Sequence, residues 1–139
     1  GNLITYDASG DPAAVATGNS GQVLTSQGAG SVPVFADAAA GGTDWQAVQT
    51  SNFTAVAGKG YFINTTGGAI EMDLPAGTLG DEVSFIDYAG TFDSNALTID
   101  QNGSEKIHGS TDPLTVSVER AANTLVFTDS TQGWLLKNK

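Results

Sequence analysis

Few residues in this chain could do chemistry. There is no cysteine and one histidine, His108, within Glu105-Lys106-Ile107-His108-Gly109. A catalytic triad would need that imidazole, yet no G-x-S-x-G elbow marks a nucleophile. A histidine alone in a turn is ordinarily solvated or structural. The spacings H-x-x-x-H and H-E-x-x-H, the EF-hand loop and the P-loop are all missing, so no metal site, nucleotide or other cofactor is expected.

Paired carboxylates are the remaining route to acid/base work, such as glycoside hydrolysis. The candidates are Glu71 with Asp73, Asp81 with Glu82, and Asp87 with Asp93. Such a pair needs one member with its pKa raised by burial. Solvated surface explains all three pairs more simply, and the chain is read as no enzyme. Calcium held by Asp87, Asp93 and loop carbonyls is a weak alternative, because oxygen ligands are common in any Asp-rich loop. The triplets at Asn52, Asn64 and Asn102 that match N-x-S/T are expected by chance in a chain rich in Asn, Ser and Thr.

Sugar binding is a stronger competitor, since aromatic faces ringed by Asn, Asp and Gln suit a saccharide. Trp134 beside Gln132, Tyr88 beside Asp87, and Phe92 between Thr91 and Asp93 are the candidate glycan contacts. Against this, large aromatics dominate small β cores, so Trp45 and Trp134 are read first as core anchors.

The elements that would position these residues are strands. From Trp45 onward apolar residues alternate: Ile70, Met72 and Leu74 against Glu71 and Asp73; Leu114, Val116 and Val118 against Thr115, Ser117 and Glu119. Period two over short runs means half-buried strands. Nine are expected: Trp45–Thr50, Phe53–Val56, Tyr61–Thr65, Ile70–Leu74, Glu82–Tyr88, Leu97–Gln101, Leu114–Val118, Thr124–Thr128 and Trp134–Lys137. Turn chemistry at Gly67-Gly68, Pro75-Ala76-Gly77, Asn102-Gly103 and Asp112-Pro113 separates them. The expected fold is all-β: an antiparallel β-sandwich or jelly-roll-like domain over residues 44–139.

Residues 1–43 follow another grammar and are expected to be an extended, strand-poor segment. Leu3–Tyr6 and Gln22–Thr25 could each be one short strand, and Ala36–Gly42 reads as a flexible linker. The stretch Thr17–Phe35, TGNSGQVLTSQGAGSVPVF, is too apolar for a plain linker and too rich in glycine for a core element. So short a region cannot build its own core. Leu3, Ile4, Tyr6, Val23, Leu24, Val34 and Phe35 must therefore pack on the β domain or on other chains, and they are the candidate oligomer or attachment interface.

Composition bounds the partners. The 139 residues carry 15 acidic and 5 basic side chains, a net charge of −10. Such a surface repels phosphate backbones and anionic lipid, which disfavours nucleic acid and membrane surfaces. No run approaches the ~20 apolar residues of a membrane span. The chain opens on Gly1 rather than Met and shows no signal-peptide pattern, as a processed product or a piece of a longer protein would.

The N-terminal run resembles a segment that recurs in bacteriophage tail-fibre and other virion-surface proteins. The matching pieces are Gly1–Asp7, Gly18-Asn19-Ser20-Gly21-Gln22-Val23-Leu24-Thr25 and Pro33-Val34-Phe35. Tyr61–Pro75 and Gly80–Tyr88 are similar to β-rich domains of tailed-phage structural proteins, including those of phages infecting marine cyanobacteria. The resemblance implies a virion structural protein at the particle surface, outside the cell. It implies a homotrimer, as a tail fibre, head fibre or capsid decoration component touching other capsid or tail proteins. A contribution to host attachment through a surface glycan would follow from the same placement. The competing classes are a carbohydrate-binding adhesin module and a polysaccharide-degrading fibre domain.

Overall fold

The computed structural model describes residues 3–38 and 42–138. Among the described residues every regular element is a strand. The chain divides into two compact units, Gly1–Gly41 and Gly42–Lys139.

The first unit is two separate antiparallel hairpins. Strand β1 (Leu3–Tyr6) pairs with β2 (Pro12–Val15), and β3 (Gln22–Thr25) pairs with β4 (Val34–Asp37). Four strands thus stand where the periodicity marks two. The partner Pro12-Ala13-Ala14-Val15 carries little strand signal, and its proline is tolerated as the first residue of a strand. Asp7 closes the first turn by accepting from Ser9 N at 2.8 Å and Asp11 N at 3.0 Å through one carboxylate oxygen. Ala36 and Asp37 belong to β4, opposite Val23 and Gln22, rather than to a linker. Residues 39–41 of the expected linker lie outside the described residues.

The second unit is a two-sheet sandwich. Its strands are β5 (Asp44–Trp45), β6 (Phe53–Thr54), β7 (Lys59–Ile63), β8 (Ile70–Asp73), β9 (Glu82–Asp87), β10 (Leu97–Asp100), β11 (Leu114–Val116), β12 (Ala122–Phe127) and β13 (Trp134–Leu136). One sheet has the order β13-β12-β9-β7-β5 and the other β11-β10-β8-β6. All nine expected strands are present, though the first is cut to Asp44–Trp45 plus a single bridge from Gln49 to Ile63.

The all-β class stands, but the pairing is mixed rather than antiparallel. From β5 to β10 the chain changes sheet after every strand. Each strand therefore returns beside the one two earlier, pointing the same way: β7 beside β5 and β9 beside β7, β8 beside β6 and β10 beside β8, all parallel. A parallel neighbour needs a crossover, and here a strand of the opposite sheet serves as that connection instead of a helix. Among the described strands of this unit, β9–β12, β10–β11 and β12–β13 pair antiparallel.

The inward faces of both sheets form one core. Tyr61, Ile63, Val83, Phe85, Leu125 and Trp134 meet Ile70, Met72, Leu97 and Ile99. Trp134 is 0% exposed and packs edge-on against Phe127, with ring centroids 5.5 Å apart. Its Nε1–H donates to Glu105 Oε2 at 3.2 Å, so the polar end of the indole is also satisfied. Gly133 before it has a φ of 70°, and a Cβ there would lie 1.8 Å from Lys106 O. Only glycine fits that close approach.

Candidate functional site

The hairpin unit, though much the smaller, holds half of the exposed large apolar side chains among the described residues: Leu3, Ile4, Tyr6, Val23, Leu24 and Val34. Successive residues of a strand point to opposite faces. Leu3 therefore shares a face with Val15, while Ile4 and Tyr6 share the other with Ala14 and Pro12. Ile4 is 73% exposed and Tyr6 68%. In the second hairpin Leu24 stands opposite Phe35, whereas Val23 and Val34 lie on the reverse face. Leu3, Val23, Leu24 and Val34 are also exposed, and only Phe35 is half-buried, its ring lying against Gly18. Val15, beside Leu3, is buried at 2% exposure, but each ribbon still keeps apolar side chains open to water on both faces. An isolated hairpin is marginal in water. Exposed apolar side chains, where they gather into a patch, mark interaction surfaces.

The β domain has one well-built polar site, at the corner between β9 and β12. Asp87 is buried, and its carboxylate accepts four backbone N–H groups. Oδ1 takes Gly90 at 2.9 Å and Thr91 at 3.2 Å, and Oδ2 takes Phe92 at 3.3 Å and Arg120 at 3.0 Å. Burial pushes the carboxyl pKa up, but these four amides outweigh it and hold it below the ordinary value. Arg120, at a φ of 58°, lays its guanidinium over Gly90 and donates to Tyr88 O at 3.1 Å. Two loops are thereby locked to one carboxylate. Both its oxygens are occupied by amides, so Asp87 organises the loop. Asp93 is exposed and accepts from Ser94 Oγ.

The expected glycan contacts do not form a site. Trp134 and Phe92 are fully buried and offer no face to a sugar, which corrects both assignments. Of the two tryptophans read as core anchors, only Trp134 is one. Tyr88 is 52% exposed, but it lies beyond the Asp87 end of β9, whereas Gln132 lies beyond the Phe127 end of β12. The antiparallel register, Ala122 to Ile86 and Val126 to Glu82, puts those two ends at opposite edges of the sheet. Trp45 is the exposed tryptophan, 43% accessible and stacked on Phe62 with centroids 4.9 Å apart. Its ring lies over Gly60, where a Cβ would come within 2.6 Å of it. The glycine at that strand position was the one sequence signal for a ring lying flat on the sheet.

Of the other chemical candidates, Asp81, Glu82 and His108 have partners of their own. Asp81 accepts from Thr78 N at 2.8 Å, and Glu82 pairs with Lys137 at 2.9 Å. Both carboxylates line an open cleft of about 450 Å³ with Lys59, Gly58 and Gly80. Glu71 and Asp73 share the outer face of β8. His108 is exposed in a turn with a φ of 52°, its Nε2 accepting from Leu136 N at 3.4 Å. Among the described residues no three His, Asp or Glu side chains gather as a metal site would require.

The family of bacteriophage T4 gp9/10-like proteins, N-terminal region, matches residues 6–134, and the chain belongs to that family. It is a phage virion structural protein. It is 31% identical over 118 residues to the baseplate wedge protein gp10 of Enterobacteria phage T4. The alignment covers 81% of this chain and 19% of that protein, so the chain spans about a fifth of the length of the relative it matches.

Proposed function

We propose that the chain is a noncatalytic building module of a phage tail-end assembly, held as a homotrimer by its N-terminal hairpins with the β domain as a rigid displayed body. The observation that carries this reading is the apolar exposure on both faces of both hairpins, at Leu3, Ile4, Tyr6, Val23, Leu24 and Val34. Three copies can bury among themselves what one copy cannot, and the glycines of the segment permit close backbone approach. Weak contacts from the three displayed domains then add through effective concentration, which suits attachment to neighbouring virion proteins or to a host surface. A baseplate role is favoured over a tail fibre or capsid decoration by the relative's own name. The engagement of Asp81, Glu82, Asp87 and Asp93 by other groups favours a structural part over a depolymerase, and the burial of Trp134 and Phe92 removes the main support for an adhesin.

Sedimentation at micromolar concentration tests the proposal. A trimer that dissociates in the double variant Val23→Asp, Leu24→Asp is expected. A monomeric parent chain with mobile hairpins by NMR would overturn it.

A further inference from the structure

We propose that Asn102 is a site of spontaneous backbone modification: its carboxamide is lost through a succinimide formed with Gly103, leaving aspartate or isoaspartate in the turn after β10. Asn102-Gly103 is the one Asn-Gly pair of the sequence. Both residues and Ser104 are exposed. The turn is closed by Glu105 N donating to Asn102 O at 3.0 Å, which leaves Gly103 N, inside the loop, without an acceptor among the described residues. Gly103 sits at a φ of 58°, is exposed, and has no heavy atom within 4 Å of where a Cβ would stand, so the side of the turn is open to solvent base. The Asn102 carboxamide likewise has no hydrogen-bond partner among the described residues.

The chemistry balances with water as the only co-reactant. Gly103 N gives its proton to solvent hydroxide and bonds to Asn102 Cγ. The bond from Cγ to the side-chain nitrogen breaks, and ammonia leaves. Water then opens the five-membered imide at either carbonyl, giving aspartate or the chain-lengthened isoaspartate. Nothing is oxidised or reduced.

Other asparagines provide the contrast. Asn52 Oδ1 accepts from Glu71 N at 2.9 Å, Asn95 Nδ2 donates to Thr65 O at 2.9 Å, and Asn123 Oδ1 accepts from Thr124 N and Asn138 N. These side chains are held, and each is followed by a residue with a Cβ crowding the attack: Phe53, Ala96 and Thr124. Asn102 alone combines a free carboxamide, a free following amide and glycine.

The turn leads directly into Glu105, whose carboxylate holds Gly77 N at 2.9 Å and the indole of Trp134. An added backbone methylene and a new charge there would loosen that grip. The loss of ammonia is irreversible.

Incubation of the folded chain in mildly alkaline ¹⁸O-water, followed by peptide mapping, is the test. Label is expected first at position 102, in both aspartate and isoaspartate products, at a rate rising with hydroxide. Gly103→Ala should slow it several-fold and Asn102→Gln should abolish it. The emission of Trp134 should change along with the label in the parent chain and stay constant in Asn102→Gln. Label arriving equally early at Asn19 or Asn138, or an unlabelled position 102 when those have reacted, would overturn the proposal.

Discussion

The two units solve the burial problem in opposite ways. The β domain places large side chains between two sheets and leaves Trp134 fully buried, while the hairpin unit leaves Ile4 and Tyr6 mostly in water. Both have the alternation of strands, so patterning alone does not separate them. What separates them is a second layer. A sheet face becomes a core only when another face can cover it, and in the two ribbons Val15 is the one apolar side chain fully covered among the described residues. The sandwich buries its large side chains within itself, and the hairpins leave most of theirs exposed.

The sharpest way to break this contrast is to remove the core anchor. Trp134→Ala should cost the β domain about 3–5 kcal/mol in chemical denaturation, by the usual penalty for a large aromatic cavity. If the domain tolerated it with less than ~1 kcal/mol lost, the sandwich would not be the self-sufficient unit described.

Asp87→Ala should come next, at about 3 kcal/mol, because it orphans backbone donors that now bond a charged acceptor. The same carboxylate predicts a pH dependence. Its folded pKa lies below the ordinary 3.8, so its stabilisation is fully present above the unfolded pKa. It is lost as pH falls from there through the folded value. Acid titration of the unfolding free energy should show less loss in that window for Asp87→Ala than for the parent chain.

Trp45→Ala should cost about 1 kcal/mol, the worth of one stacked aromatic pair, although Trp45 and Trp134 look alike in sequence. Replacing Val23 and Leu24 by Asp should leave the melting of the β domain unmoved while abolishing association. A parallel fall in domain stability would mean that the hairpins serve folding rather than assembly. The smallest effect belongs to Lys137→Ala. Its exposed bridge to Glu82 should be worth under ~0.5 kcal/mol and vanish in high salt.

Strands were legible in the sequence because their signal is local. Ile70-Glu71-Met72-Asp73 can be read as one buried face and one wet face without knowing the neighbour. Pairing was not legible for the same reason. Gly67-Gly68 between β7 and β8 looks like a hairpin turn, yet the six residues from Asn64 to Ala69 carry the chain into the opposite sheet. Alternation fits both routes, since it records which face is buried and not which strand lies alongside. The fate of the tryptophans was equally hidden. Each begins or ends a short strand, and only the partner surface differs: Phe127 and Glu105 enclose Trp134, while Trp45 lies over Gly60 with its outer side open. Exposure of the N-terminal apolar residues, by contrast, followed from counting how few of them there were to cover one another.

The alternation of the chain between sheets carries a consequence for how the domain comes apart. Neither sheet is a continuous stretch of sequence, so neither can peel away while the other persists. Pairs such as Lys59 with Val83 and Ile70 with Leu97 join residues far apart in the chain, and few local contacts exist to form first. The domain should therefore fold slowly, as non-local topologies do, and open in a single step rather than by fraying. A particle exposed to dilution and shear outside a cell is served by parts whose winding permits only the whole or nothing.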